Sequence, residues 1–173
     1  ILEEIKSGTQ FIHPDIIAQM LVEKDPILQL IDVRPQSEFE KYSLPGAINI
    51  PIDDLLSSEN RYLIDQDVMM NVFYANGTTR ANEAWMLVRQ LGYRNNYVLS
   101  GGLNYWVETI LNPRPPDATS PDDEFARYDF RKAASGALGG GVATPADSRD
   151  VPRANIPRPQ PQQRRQAVSG GCS

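Results

Sequence analysis

The residues from Phe73 to Trp85, FYANGTTRANEAW, have the types and order of an anion-binding turn. Apolar residues run up to Tyr74. Six small or polar residues follow (Ala75, Asn76, Gly77, Thr78, Thr79 and Arg80), and then Ala81, Ala84, Trp85, Leu87, Val88 and Leu91 recur at helical spacing. A buried strand, a tight loop and a helix start bring backbone N–H groups and the positive end of a helix dipole to one place, which favours a small anion or a thiolate. The position in such a loop that suits a nucleophile is the first, and here it is Ala75, which has no reactive atom. Arg80, at the loop's end, adds a charged donor. The chain has one cysteine, Cys172, and one histidine, His13. A zinc site of the usual Cys/His type is therefore out of reach within one chain, and no metal or other cofactor is expected. Cys172 lies in SGGCS beside the chain end and is the one candidate thiol; an exposed thiol without a role is the plain alternative.

The elements that must position this loop are legible in the pattern around it. Ile27 to Val33 is an apolar run of strand length, suited to a strand covered on both faces. Pro14 opens a helical stretch with Ile16, Ile17, Met20 and Leu21 on one face. Ser37 to Glu40 suggests a short helix, Ala47 to Ile50 a strand, Asp53 to Leu56 a helical turn, and Val72 to Tyr74 and Tyr97 to Leu99 two more strands. Gly101-Gly102 leads into an amphipathic helix with Leu103, Trp106, Val107, Ile110 and Leu111. Strands separated by helices imply a mainly parallel sheet with helices on both faces, an α/β fold in three layers. Ligands of such sheets lie at the carboxyl ends of strands, where Ala75 falls. Thr78 or Thr79 is expected to cap the helix that begins near Ala81. Gly101-Gly102 reads as a backbone requirement, Trp85 and Trp106 as core, and His13 as exposed and idle.

Composition divides the chain. Nine of its fourteen prolines lie beyond Asn112, in a segment with few large apolar residues. The expected organisation is a domain over residues 1–112, an extension with a short helix over 113–135, and a Pro/Gly/Arg-containing flexible tail over 136–173 that ends near Cys172. Formal charge is −7 over residues 1–112 and +2 over the remainder. An acidic domain argues against nucleic acid as a partner. No apolar run of 18 residues is present, so no membrane-spanning segment is expected in these residues. The first residue is Ile1, and a signal or membrane tether outside the given sequence remains an expectation.

Three stretches in order carry a family resemblance. LIDVRPQSEFEKYSLPGAINIP resembles the opening half of a rhodanese-like domain, FYANGTTRANEAWMLVRQLGY its active-site loop and following helix, and NNYVLSGGLNYW its closing strand and helix. The likeness covers about residues 9–112. It also resembles exported, membrane-tethered rhodanese-like proteins of Bacteroidetes-type bacteria, some with a similar Gly-Gly-Cys end, which implies a periplasmic or membrane-tethered bacterial protein in preference to a cytoplasmic one. The resemblance implies the rhodanese-like three-layer fold and sulfurtransferase chemistry, in which a loop cysteine accepts sulfane sulfur and passes it to a thiol or cyanide. Asp32, Arg34 and Glu38 match the family's "D-V-R…E" pattern and are read as structural, the arginine pairing with a carboxylate such as Glu38. The loop keeps the family length, with Arg80 five residues after Ala75, but its glycine has moved and Tyr42-Ser43 replaces the family's usual Gly-His.

The resemblance and the missing nucleophile together imply a pseudoenzyme: a catalytically degenerate domain that binds a small anion, a sulfur species, or a protein partner through the loop or the C-terminal tail, in a regulatory role. The alternative is a sulfurtransferase of thiosulfate or persulfide sulfur in which Cys172 or a partner's thiol does the work, or in which Ala75 stands where the native chain has cysteine.

Overall fold

The computed structural model describes residues 2–139. A short helix, α1 (Leu2–Ser7), precedes β1 (Phe11–Ile12) and α2 (Pro14–Glu23). Then come β2 (Leu28–Asp32), α3 (Gln36–Phe39), β3 (Ile48–Asn49), a 3-10 turn (Ile52–Asp54) and α4 (Arg61–Ile64). The second half holds β4 (Met70–Tyr74), α5 (Thr78–Gln90), β5 (Asn96–Leu99), α6 (Gly102–Trp106) continued by a π-helical segment (Val107–Leu111), and α7 (Asp122–Ala137). The strands form one sheet in the order β1-β5-β4-β2-β3, and every pair is parallel. The α/β, three-layer architecture expected from the sequence is therefore present. Helices α1 and α4 had no clear periodic signal; each is too short for one.

Strand geometry sends successive side chains to opposite faces, and the central strands feed two cores in this way. Val72 and Tyr74 of β4 join Leu30, Tyr97 and Leu99 on the face that carries Ile17, Met20 and Trp106. Phe73 joins Ile31 and Val98 on the other face, against Ala81, Ala84, Trp85 and Val88 of α5. Register aligns Asp32 with Tyr74, so β2 and β4 end side by side. The loop after Tyr74 and the segment after Asp32 thus emerge at one edge of the sheet.

Helix α7 lies beyond the segment that carries the resemblance, and it packs on the domain. Phe130 and Ala134 are buried in the core that holds Ile17 and Trp106. Arg131 forms two hydrogen bonds with Asp15, Nε to Oδ1 at 2.7 Å and NH2 to Oδ2 at 2.8 Å, and Ser135 Oγ donates to Leu111 O at 2.7 Å. Asp15 is almost fully buried, so Arg131 neutralises a carboxylate that would otherwise be costly in that place. The helix runs to Ala137, two residues past the expected end of the extension. The tail read as flexible, with Cys172, lies outside the described residues apart from its first few positions.

His13 is half-buried and is not idle. It is the N-cap of α2, where Nδ1 accepts from the Asp15 N–H at 3.2 Å, and its ring meets Tyr105 edge-on at 6.0 Å. Burial holds its pKa below the ordinary histidine value, against the opposing pull of Asp15. The neutral ring is the form that can accept the cap hydrogen bond.

If α7 belongs to the folding unit, Phe130→Ala should lower stability by about 3–5 kcal/mol, the usual cost of emptying a buried phenylalanine site, and leave a single unfolding transition. Urea denaturation followed by tryptophan fluorescence checks this. A loss within about 0.5 kcal/mol, the range of an ordinary surface substitution, would mean that α7 is not part of the core.

Candidate functional site

The cleft at the carboxyl ends of β2 and β4 is lined by Arg34, Glu38, Ala75, Asn76, Gly77, Thr79 and Arg80, and its volume is about 280 Å³. Ala75 is the first residue after β4 and is buried. The helix behind the loop starts at Thr78, three residues earlier than the sequence pattern implied, because the apolar period begins only where α5 turns its face to the core. Its N-cap is Gly77, and no side chain caps it. The expectation of a threonine cap therefore fails. Thr78 is spent elsewhere: its Oγ1 accepts from the Gly101 N–H at 3.0 Å. The first N–H groups of α5 have no partner within the helix, and Thr79 and Arg80 of that first turn line the cleft.

One neighbouring turn holds the loop. Besides the Gly101–Thr78 bond, Leu103 N–H donates to Ala75 O at 2.9 Å and Asn104 N–H to Asn76 O at 3.0 Å. The start of α6 thus spends its own free N–H groups on loop carbonyls. Only glycine permits this approach at position 102. Its φ is +61°, and a Cβ there would lie 2.6 Å from Ala75 O and 2.8 Å from Gly77 Cα. Gly77 differs: it has extended backbone (φ −129°, ψ −170°), and a Cβ would meet nothing within 4 Å.

A charged network forms the opposite wall. Arg34 is buried and grips Asp32, with Nε 2.9 Å from Oδ1 and NH2 2.6 Å from Oδ2. Asp32 Oδ1 also accepts the Arg34 N–H at 2.9 Å. Arg34 NH2 donates to Tyr42 O at 2.6 Å and NH1 to Asn76 Oδ1 at 3.0 Å. Asn76 Nδ2 donates in turn to Glu38 Oε2 at 2.7 Å. The expected pairing of Arg34 with Glu38 is only secondary, at 3.7 Å, because the buried Asp32 carboxylate takes the two strongest donors. Although burial of Arg34 works against its charge, the Asp32 contact outweighs it and raises its pKa further. The Asn76 side chain is the link between arginine and glutamate. Its type in a turn is too common to signal that role.

Tyr74, the residue before Ala75, is fully buried. Burial pushes its phenol well above the ordinary value, opposed by the Leu44 N–H and reinforced by Asp32. Leu44 N–H donates to its Oη at 3.2 Å, which ties the Pro45 turn to the sheet. The Arg80 side chain is exposed on the cleft and has no hydrogen-bond or ion-pair partner among the described residues. No group of three or more His, Cys, Asp or Glu side chains is placed to hold a metal ion among the described residues. None of the described helices is long and apolar enough to cross a membrane.

A strand, a short loop, a helix start and an arginine at its end make this site, and the model of the rhodanese-like domain matches residues 13–109, more than half of the chain. The chain belongs to the rhodanese-like family. It is 36% identical over 78 residues to the uncharacterized protein YqhL of Bacillus subtilis, a match that covers 45% of this chain and 60% of YqhL. It is 30% identical over 94 residues to the thiosulfate:glutathione sulfurtransferase of Homo sapiens, covering 46% of this chain and 79% of that protein. The rhodanese-like domain of the Alr3790 protein from Anabaena sp. superposes with a TM-score of 0.51 at 23% identity, covering 65% of this chain and 88% of that one, and so shares the fold. Within this rhodanese-like domain, Ala75 occupies the loop's first position and Asp32, Arg34 and Glu38 stand beside it.

The two loop glycines should respond oppositely to alanine. Gly102→Ala should cost at least about 1–3 kcal/mol from its left-handed backbone alone, with the clash on Ala75 O added. Gly77→Ala should fall within about 0.5 kcal/mol of wild type. Thermal unfolding of both variants checks this; equal costs would show that the loop is not held against the Gly101–Asn104 turn.

Proposed function

We propose that this domain is a binding module that has lost turnover: it holds a small anion, or the carboxylate of a protein partner, in the cleft beside Ala75, and acts in regulation or assembly. The observation that carries this reading is Ala75 itself. It stands at the cleft position where the loop's N–H groups and Arg80 would serve a covalent sulfur carrier, and a methyl group carries no sulfur. The rest of the frame is intact, from the Asp32–Arg34–Asn76–Glu38 network to the bonds that pin the loop. An intact frame around an inert residue suits binding. Contact with a protein partner through the C-terminal tail and a periplasmic or membrane-tethered setting belong to this proposal as expectations.

A second reading rests on one specific feature, the lone thiol of Cys172 on the same chain, outside the described residues. In that reading Cys172, or a thiol of a partner, receives sulfur at the cleft. The thiosulfate:glutathione sulfurtransferase among the relatives gives that chemistry its precedent.

The purified protein should form no thiocyanate from thiosulfate and cyanide above a buffer blank, because removal of a covalent nucleophile removes the route itself. Turnover that disappears in Cys172→Ser would establish the second reading. Turnover that persists in Cys172→Ser would overturn both.

A further inference from the structure

The four charges at the cleft wall cancel. Asp32 and Arg34 neutralise one another through their paired hydrogen bonds, and Arg34 has its remaining donors on Tyr42 O and Asn76 Oδ1. It has little left for a ligand. That leaves Arg80 and Glu38 as the charges that face the cleft space, one of each sign. Glu38 is not consumed by Arg34, from which it stands 3.7 Å, and only its Oε2 is engaged, by Asn76 Nδ2. Its side chain is 40% exposed. Arg80 has no partner among the described residues.

A cleft of this kind is poorly matched to a dianion. Whatever the α5 N-terminus and Arg80 gain from a doubly negative group, Glu38 opposes across the same small volume, most strongly at low ionic strength. It is well matched to a ligand with charges of both signs. A volume of about 280 Å³ admits only a small molecule or a chain end. We infer that the cleft selects a small zwitterion, whose anionic group lies at Arg80 and the start of α5 and whose ammonium group lies on the free oxygen of Glu38. Glu38 is then the specificity residue, and Asn76 its positioning residue, since the Asn76 carboxamide holds the glutamate on the cleft side of Arg34. This inference rests on the binding reading above and narrows its ligand class.

The test uses the full chain with three probes: taurine as the zwitterion, acetate as the monoanion and thiosulfate as the dianion. Binding is read from amide shifts of residues 75–80 in two-dimensional NMR at low salt. In the wild type, taurine should bind at least about tenfold more tightly than thiosulfate or acetate. Glu38→Gln keeps an oxygen for Asn76 Nδ2 and should invert the order, weakening taurine by about tenfold and strengthening thiosulfate. Arg80→Gln should weaken all three probes; matched thermal unfolding curves show that both variants fold. Thiosulfate binding more tightly than taurine in the wild type, or a taurine-to-thiosulfate ratio unchanged in Glu38→Gln, would overturn the inference and leave the anion-binding reading in place. No shift at residues 75–80 with any probe would overturn both.

Discussion

The grip of Arg34 on Asp32 is the contact on which the cleft depends. Asp32 closes β2 and is fully buried, so its charge is tolerable only with a cation held against it. Once Arg34 supplies that cation, its planar fork has donors left over with fixed directions. One reaches Tyr42 O and sets the path of the chain between α3 and β3; another reaches Asn76 Oδ1 and sets the loop after β4. A lysine would carry the charge but could not hold three partners in one plane. Removal of either charge alone would leave the other buried and unpaired, at a cost on the order of 3–5 kcal/mol.

From that contact the loop is constrained on both sides. Arg34 holds it through a side chain, and the Gly101–Asn104 turn holds it through the backbone. The second constraint passes through α6 and its π-helical continuation to α7, whose Phe130 shares a core with Trp106 and Ile110. Helix α7 lies outside the matched family segment, yet its Arg131 satisfies the buried Asp15 at the start of α2. The domain that positions the cleft therefore extends past its family boundary.

The sequence carried the sheet well because strands covered on both faces leave unbroken apolar runs, as at Ile27–Val33. It carried the residues of the candidate cleft, because Arg34, Glu38 and the Ala75–Arg80 loop follow strands that end side by side. It carried much less of the wiring. Thr78 resembled a helix cap, but a closely packed turn offered its hydroxyl a better placed donor in Gly101 N–H. Glu38 sits four residues after Arg34, the spacing of a helical ion pair, but Asp32, two residues before, wins through burial. His13 showed no periodic signal, and its cap role is visible only in its own extended backbone and the Asp15 N–H donated to its ring. These are tertiary choices among several chemically adequate partners, and local spacing does not rank them.

Under the proposed function the loop is a preformed anion cradle with a methyl group where a sulfur carrier would stand. The most direct test of this is the pH dependence of alkylation of Ala75→Cys in a Cys172→Ser background. A thiolate at position 75 gains from the first N–H groups and dipole of α5 and from Arg80, and Glu38 limits that gain. The expected result is an accessible thiol with a pKa clearly below the ordinary cysteine value of about 8.5. A pKa at or above that value, or a thiol that no alkylating reagent reaches, would contradict it.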